Sequence, residues 1–361
     1  MRFSRTATAI AVFAAVASIA TPRNTAAQAG VDTDTVLRDF MVQNVCLGAG
    51  GKPLSGRSPL DAGCTQQRDL LPGERLPYHK HDQPSPDERA DAPEGYQRHD
   101  SIPVPTAGEG IAIEHSFDFG AGEGRRFGTF DAGSDGGDLV ILSAGVASIG
   151  ATEDGGAGFQ LFVGECRGTV DATALRHAWI VADLAASQPG TLQGETVARL
   201  KDLRAAQQSD CPDRYSAAYT NWRVIPFRYR AAPGQGSPVT LTTLLSEHYG
   251  GMNRANADHV ERFYFTRELG GTRWERWQNV QGNQQASPER ITQQAAWFAG
   301  TGRCSHADPP EGGATMVLID CREWSHIVPA SDPDGDAPGF FVKALRERGM
   351  APPFLAAPDP R

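Results

Sequence analysis

Short apolar runs separated by turns rich in glycine, proline and acidic residues dominate the chain beyond residue 110. Alternating or nearly continuous apolar positions with β-branched residues predict strands. The predicted strands cover residues 111–119, 137–148, 159–163, 222–230, 239–249 and 316–321. Turn signals recur about every ten residues between them, which is typical of all-β domains. We therefore predict a mainly β fold, a β-sandwich or jelly-roll with peripheral helices.

Four segments have apolar residues at helical spacing. They are residues 31–45, 196–208, 287–299 and 339–348. In the third segment, Ser287 is a good N-cap and Pro288 fits the first turn of the helix. Five prolines between His81 and Glu109 predict a long loop. We expect residues 30–105 to form a helix and an extended lead-in, and residues 106–361 to form the β-sandwich domain.

The amino terminus has the pattern of a secretory signal peptide. Arg2 and Arg5 precede an apolar run over residues 7–20, and Ala27-Gln28-Ala29 matches a small-residue cleavage site. We predict a signal peptide over residues 1–29 and a secreted or periplasmic protein. No later apolar stretch approaches the length of a transmembrane helix, so we expect no membrane span.

Composition narrows the range of partners. Without Arg2, Arg5 and Arg23, 31 basic residues remain against 43 acidic ones, so the predicted mature chain carries a formal charge of −12. A negative protein without a basic tract repels phosphate backbones, and we expect no nucleic-acid partner. Local arginines remain able to bind a small anion or a uronate.

The chain has six cysteines and no Cys-x-x-Cys pair. In an oxidising compartment an even number favours disulfides over metal ligation. We predict sequential pairing, Cys46 with Cys64, Cys166 with Cys211 and Cys304 with Cys321. His79 and His81 would share one face of a strand, but that spacing alone is unspecific. We predict no metal and no cofactor.

The segment from Ser246 to Trp277 combines carboxylates, arginines and aromatic rings more densely than any other stretch. Gly270-Gly271 is a two-residue turn signal, so we predict a hairpin in which Glu268 faces Arg273 and Tyr264 faces Trp277. Strand alternation then predicts a core-facing side and a solvent-exposed side. The core-facing side holds Phe263, Phe265, Leu269 and Trp274. The exposed side holds Arg262, Tyr264, Glu268, Arg273, Glu275 and Trp277.

Carboxylates beside exposed aromatic rings are typical of sugar-binding sites, where rings stack on the sugar and charged groups bind its hydroxyls. Glycoside hydrolysis needs two carboxyl groups, and we predict Glu247 and Glu275, with Glu261 in reserve. Elimination from a uronate instead needs His248 or Tyr249 as base and Arg262 or Arg273 to neutralise the substrate carboxylate. Glu261, Arg262, Tyr264, Arg273 and Trp277 are the predicted substrate-binding residues. The negative net charge mildly favours a neutral substrate, and hence hydrolysis.

Other motifs give weaker signals. The acidic glycine-rich segment from Asp131 to Asp138 offers oxygen ligands for calcium, but a tight turn explains it as well or better. Trp179 is a single aromatic residue in apolar surroundings and is predicted to be core. The leading hypothesis is a secreted carbohydrate-active enzyme that cleaves a polysaccharide or oligosaccharide, a glycoside hydrolase or a polysaccharide lyase. The alternatives are a non-catalytic glycan-binding or envelope protein and a purely structural domain.

Overall fold

The protein is described here by a computed structural model. The described residues are 33–82, 98–107, 111–118, 135–143, 145–151, 159–163, 167–172, 177–202, 218–230, 237–251, 253–283, 286–311, 315–330, 340–347, 349 and 355–356. The predicted signal peptide, residues 1–29, lies outside them.

Three α-helices occur in the described residues, α1 (Thr33–Met41), α2 (Pro288–Gly300) and α3 (Phe340–Glu347). Each lies within a segment predicted to be helical. At the start of α2 the Ser287 side chain accepts a hydrogen bond from the backbone N–H of Arg290, at 3.3 Å, as its N-cap role requires. None of the helices in the described part of the chain has the length and apolar character needed to span a bilayer.

The strands account for most of the described structure. The first eight are β1 (Asn44–Cys46), β2 (Gln67–Asp69), β3 (Tyr78–Asp82), β4 (Arg98–Val104), β5 (Ile111–Asp118), β6 (Asp135–Ser143), β7 (Val146–Ala151) and β8 (Phe159–Val163). The rest are β9 (Arg167–Ala172), β10 (His177–Asp183), β11 (Gly194–Asp202), β12 (Ala218–Tyr229), β13 (Val239–Gly250), β14 (His259–Thr266), β15 (Gly270–Asn279) and β16 (Met316–Pro329). The mainly β prediction is confirmed.

Within the described residues, all strands except β1 and β2 join one antiparallel sheet. Its order is β10-β7-β6-β5-β4-β3-β16-β15-β14-β13-β12-β11-β8-β9. The sheet curls back on itself, because β10 packs across β11, β12 and β13. A hydrogen bond of 2.8 Å from the Ser246 hydroxyl to the Val181 carbonyl joins β13 to β10. β3 and β4, which belong to the predicted lead-in, lie in the middle of this sheet.

The helix predicted over residues 196–208 is wrong, because residues 194–202 form strand β11. Gly194 to Ala198 pair with β12, and Ala198 to Asp202 pair with β8. Two neighbouring strands therefore hydrogen-bond to the backbone of this segment. The helical spacing of its apolar residues is only a weak local preference. Tertiary pairing commonly overrides such a weak preference.

Strands β13, β14 and β15 are buried on both faces. On the inner face, Leu244, Phe263 and Phe265 pack in the main core with Phe40 and Met41 of α1. On the outer face, Leu245 and Tyr264 join a second cluster with Tyr78, Phe227 and Tyr229. The fully buried polar side chains of these strands therefore depend on protein partners rather than on bulk water.

Two of the three predicted disulfides are present, Cys46–Cys64 and Cys304–Cys321, with Cα atoms 5.5 and 6.4 Å apart. Cys166 and Cys211 lie outside the described residues. The second disulfide attaches residues 301–311, the segment after α2, to strand β16.

Candidate functional site

The predicted hairpin exists, but its register is wrong. Arg262 pairs with Glu275 and Tyr264 pairs with Arg273, whereas the two-residue turn required Glu268 opposite Arg273. The chain turns at residues 267–269, and a bulge follows Tyr264. Because the register differs by four positions, an even number, Arg262, Tyr264, Arg273, Glu275 and Trp277 still share one face.

Contacts from distant strands explain the turn. The buried Lys80 ammonium of β3 donates to the carbonyls of Leu269 and Gly271, and it lies 3.3 Å from the Ser101 hydroxyl. The Ser101 hydroxyl accepts from the backbone N–H of Gly271 at 2.9 Å. Gly270 has a φ of +64°, and a Cβ there would lie 2.8 Å from the Ser101 side chain. None of these partners is near the hairpin in sequence.

We call the predicted residues that meet on the outer face the outer network. Its members are Glu247, Arg262, Tyr264, Arg273, Glu275 and Trp277. The cross-strand pairs Glu247–Arg262 and Arg262–Glu275 align three strands. The predicted grouping of Arg262, Tyr264, Arg273, Glu275 and Trp277 on one face is thus seen in the structure, whereas Glu268, also predicted there, lies in the turn at residues 267–269.

Arg262 lies between the two predicted catalytic carboxylates. Its Nε donates to Glu247 Oε1 at 2.7 Å, and its Nη1 lies 3.3 Å from Glu275 Oε2. Arg223 contributes a second cation, with its Nη1 2.9 Å from Glu247 Oε2. Burial favours the neutral acid, but the charges of Arg262 and Arg223 outweigh it and lower the pKa of Glu247.

Glu275 is held by three further side chains. The Tyr264 hydroxyl donates to Oε1 at 2.9 Å, and the Trp277 ring N–H donates to Oε2 at 2.8 Å. Arg273 Nη2 lies 2.6 Å from Oε1, while Arg273 Nη1 lies 3.2 Å from Glu323 Oε2. Every oxygen of Glu275 therefore has a protein partner.

The prediction that this face is solvent-exposed is wrong. Glu247 and Glu275 are 0% exposed, and Trp277 is 4% exposed. Residues 301–311 bind two arginines of the network: Arg262 donates to the Asp308 carbonyl, and Arg273 Nη1 lies 3.0 Å from His306 Nε2. The two carboxylates therefore share buried guanidinium groups and do not line an open groove.

Tyr249 lies on the same face, next to Val260 and packed edge-on against Tyr219. Its side chain is buried, and burial together with the charge of Glu247 raises the pKa of Tyr249 to about 12. The hydroxyl is therefore protonated at neutral pH. A role as base, as predicted for elimination, requires a group that loses its proton far more readily.

The remaining two predicted residues, His248 and Glu261, lie on the inner face. They form a cross-strand pair one position away from the Glu247–Arg262 pair, so they point to the opposite side of the sheet. The structure thus divides the predicted site into two sets of side chains separated by the sheet.

On the inner face His248 and Glu261 belong to a second group, which we call the inner cluster. Its members are Asp138, Trp179, His248, Glu261 and Trp274. The Trp274 ring N–H donates to Glu261 Oε2 at 3.2 Å, and the Trp179 ring lies 5.4 Å from the His248 ring. Asp138 of β6 and Trp179 of β10 come from the other half of the curled sheet.

The two carboxyl groups of this cluster interact. Burial raises the pKa of Asp138 to about 8, and the negative charge of Glu261 adds to the shift. Asp138 therefore retains its proton at neutral pH. Burial lowers the pKa of His248 to about 4, so its imidazole is neutral. Paired acids with different protonation are the arrangement that acid–base catalysis uses.

Four of the five residues of the inner cluster are partly exposed, whereas Asp138 is buried, with 8% of its surface exposed. Trp179, His248, Glu261 and Trp274 are all partly exposed, and the Glu261 side chain is 20% exposed. The ring N–H of Trp179 and Nδ1 of His248 have no hydrogen-bond partner among the described residues. Both atoms are shielded from solvent, so each is a buried polar atom without a partner in the described part of the chain.

Sequence reasoning missed Asp138 and Trp179. Asp138 ends the acidic segment interpreted as a turn and also falls in the predicted strand over residues 137–148; it lies within β6, directly opposite His115 of β5. Trp179 was predicted to be core, and it does pack on Phe263, with ring centroids 5.4 Å apart. The only local signal was an acidic residue next to the apolar run of β6.

The two histidines weighed as metal ligands have other partners. His79 Nδ1 lies 2.8 Å from Asp100 Oδ2, and the rings of His79 and His81 are 6.4 Å apart. No cluster of three or more potential metal ligands occurs among the described residues.

Comparisons with known proteins do not identify a family. No protein-family model, no curated protein and no solved structure matches this chain.

Proposed function

We propose that this protein is a secreted or periplasmic carbohydrate-active enzyme, a glycoside hydrolase, with its active site at the inner cluster. The observation that carries the proposal is the interaction of Asp138, whose pKa is raised to about 8, with Glu261, whose carboxylate accepts from the partly exposed Trp274. Trp179 and Trp274 have the flat apolar surfaces on which sugar rings stack. The two disulfides fit an oxidising compartment.

The proposed mechanism uses different roles for the two carboxyl groups. Asp138 donates its proton to the oxygen of the glycosidic bond as the bond to the anomeric carbon breaks. Glu261 supplies the carboxylate, which either attacks that carbon or takes a proton from the attacking water. Trp274 orients Glu261 through its ring N–H, and the neutral His248 is placed to bind a sugar hydroxyl.

The outer network is less suited to this chemistry. A general acid needs a raised pKa, whereas that of Glu247 is lowered by two arginines. A substrate would also have to displace buried ion pairs to reach Glu275. We therefore assign Glu247 and Glu275 a structural role, and we retain Glu261 and His248 as site residues.

The proposal is tested with a panel of polysaccharides and a reducing-end assay. Wild-type protein is expected to cleave at least one polymer. Asp138→Asn and Glu261→Gln are expected to lower kcat by about 100-fold or more, the usual size of an acid–base contribution. Both variants keep the side-chain volume, so each is expected to fold and to give the circular-dichroism spectrum of the wild type. Glu311→Gln, on a side chain exposed on the outer face, is the matched control.

Two outcomes would contradict the proposal. Unchanged turnover in both variants would exclude the inner cluster as the active site. Glycan binding that is lost in Trp274→Ala, with no cleavage of any polymer by the wild type, would instead show a non-catalytic glycan-binding protein.

A further inference from the structure

Arg276 lies beside the inner cluster. It is the cross-strand partner of Glu261, two positions from Trp274, and therefore lies on the same face of β15 as Trp274. Its side chain is 24% exposed, close to the 20% of Glu261. Part of the Arg276 side chain is thus accessible to solvent next to the cluster, while its Nε is buried.

One nitrogen of the Arg276 guanidinium, Nε, has no hydrogen bond to a described residue. Its Nε lies 3.9 Å from Glu261 Oε1, too far for a hydrogen bond, and Nε has no hydrogen-bond partner among the described residues. Asp320, its cross-strand neighbour on β16, instead accepts from Arg322 at 3.0 Å. By contrast, Arg262 of the outer network contacts two carboxylates, at 2.7 and 3.3 Å.

An arginine with an unused donor next to the proposed sugar-binding site is suited to a carboxylate ligand. The planar guanidinium binds a carboxylate through two parallel hydrogen bonds, which fixes the orientation of the bound group. We propose that Arg276 binds the carboxylate of an acidic sugar, so that the substrate is a glycan containing uronic acid. This inference rests on the proposed function of the inner cluster.

The negative net charge of the chain does not oppose this assignment. Charges on the protein surface are screened beyond about 8 Å at physiological ionic strength, whereas a bound carboxylate would lie in direct contact with Arg276. Locally, Arg276 supplies the cation that faces Glu261, and Asp138 is uncharged when protonated. The distant acidic residues therefore affect the rate of encounter more than the preference at the site.

The test compares two substrates that differ only in the carboxyl group. The first is a uronate-containing polymer that the wild type cleaves, and the second is the same polymer after chemical reduction of its carboxyl groups. We expect wild-type kcat/KM to be at least about tenfold higher on the uronate form. In Arg276→Gln that ratio is expected to fall towards one, mainly through a higher KM.

Two further variants sharpen the test. Arg276→Lys keeps the charge without the paired donors and is expected to restore part of the preference. Arg228→Gln removes an exposed arginine from a different strand, β12, and is expected to leave the ratio as in the wild type. A wild type that cleaves both polymers equally well, with no effect of Arg276→Gln on the ratio, would overturn the inference and leave the proposed function intact.

Calorimetry separates the inference from the proposed function. If no polymer is cleaved, hydrolysis is excluded, and titration with uronate oligosaccharides then tests Arg276 alone. Binding that is weakened about tenfold or more in Arg276→Gln would support the inference for a binding protein. Equal binding by both proteins, or no binding by the wild type, would overturn it.

Discussion

Both faces of the β14–β15 hairpin carry carboxylates, arginines and tryptophans, but the carboxylates have different partners on the two faces. On the outer face, each carboxylate of the network contacts two guanidinium groups and is 0% exposed. On the inner face, Glu261 has one arginine at 3.9 Å and lies near a second carboxyl group, that of Asp138. Residue type alone therefore does not distinguish a structural site from a reactive one. The two faces differ instead in the number of cations for each carboxylate and in the access of water.

The physical reason lies in the cost of burying charge. A buried carboxylate is tolerated when guanidinium groups and hydrogen bonds replace its hydration, and it then has little tendency to bind a proton. A buried carboxyl group near another negative charge stays neutral instead and can donate its proton. The first arrangement stabilises a fold, whereas the second is poised for acid catalysis.

The largest effect on stability is expected from Arg262→Leu. This substitution leaves two buried carboxylates with fewer cations, and breaking such a pair costs about 3–5 kcal/mol. Urea denaturation is expected to show a fall of that size in the free energy of unfolding, while Arg228→Leu changes it by less than about 0.5 kcal/mol. A loss below about 1 kcal/mol for Arg262→Leu would mean that the outer network is not a structural centre.

A smaller loss of stability is expected when the segment that covers the outer network, residues 301–311, is no longer attached to β16 by its disulfide. The double substitution Cys304→Ser and Cys321→Ser removes a crosslink across 17 residues. Loop-closure entropy predicts destabilisation by about 3 kcal/mol. If residues 301–311 shield only the outer face, hydrogen exchange is expected to rise at the amides of residues 301–311 but not at Trp179. Faster exchange at Trp179 as well would show that the two faces are coupled.

A third effect concerns the protonation of Asp138 and depends on pH. Its folded-state pKa of about 8 exceeds the ordinary value, so its contribution to stability is complete at low pH and is lost as pH rises towards 8. Asp138→Asn does not titrate. The melting temperature of the variant minus that of the wild type is therefore expected to increase between pH 5 and pH 8.

The difference between the two proteins is the useful quantity, because the other buried groups titrate in both. Glu323, for example, has a pKa raised to about 7, chiefly by burial, and contributes equally to each curve. A melting-temperature difference that is the same at pH 5 and pH 8 would show that Asp138 is already ionised in the folded protein. The proposed acid would then be wrong.

Part of the candidate site was predictable because strand alternation is a local property. Arg262, Tyr264, Arg273, Glu275 and Trp277 share a face in any register that differs by an even number of residues. The two Cys pairs in the described residues were predictable because each closes a short loop. The helices were predictable where caps and apolar spacing agreed, as at Ser287.

The remainder depended on contacts between distant segments. Residues 194–202 are a strand because β8 and β12 flank them, and the hairpin turns at residues 267–269 because Lys80 and Ser101 bind its backbone. The outer network is shielded from solvent because residues 301–311 cover it. The meeting of Asp138 with Glu261 required the sheet to curl until β6 approached β14.

The amino-acid sequence by itself therefore determined the strand-rich class, the pairing of nearby cysteines and the side of each strand on which a residue lies. These features follow from periodicity and short-range chain entropy, which act within a few residues. The tertiary structure alone decided which face is buried, which carboxylates find guanidinium partners and which acid stays protonated. Those outcomes depend on desolvation and charge, and both are set by neighbours far away in the chain.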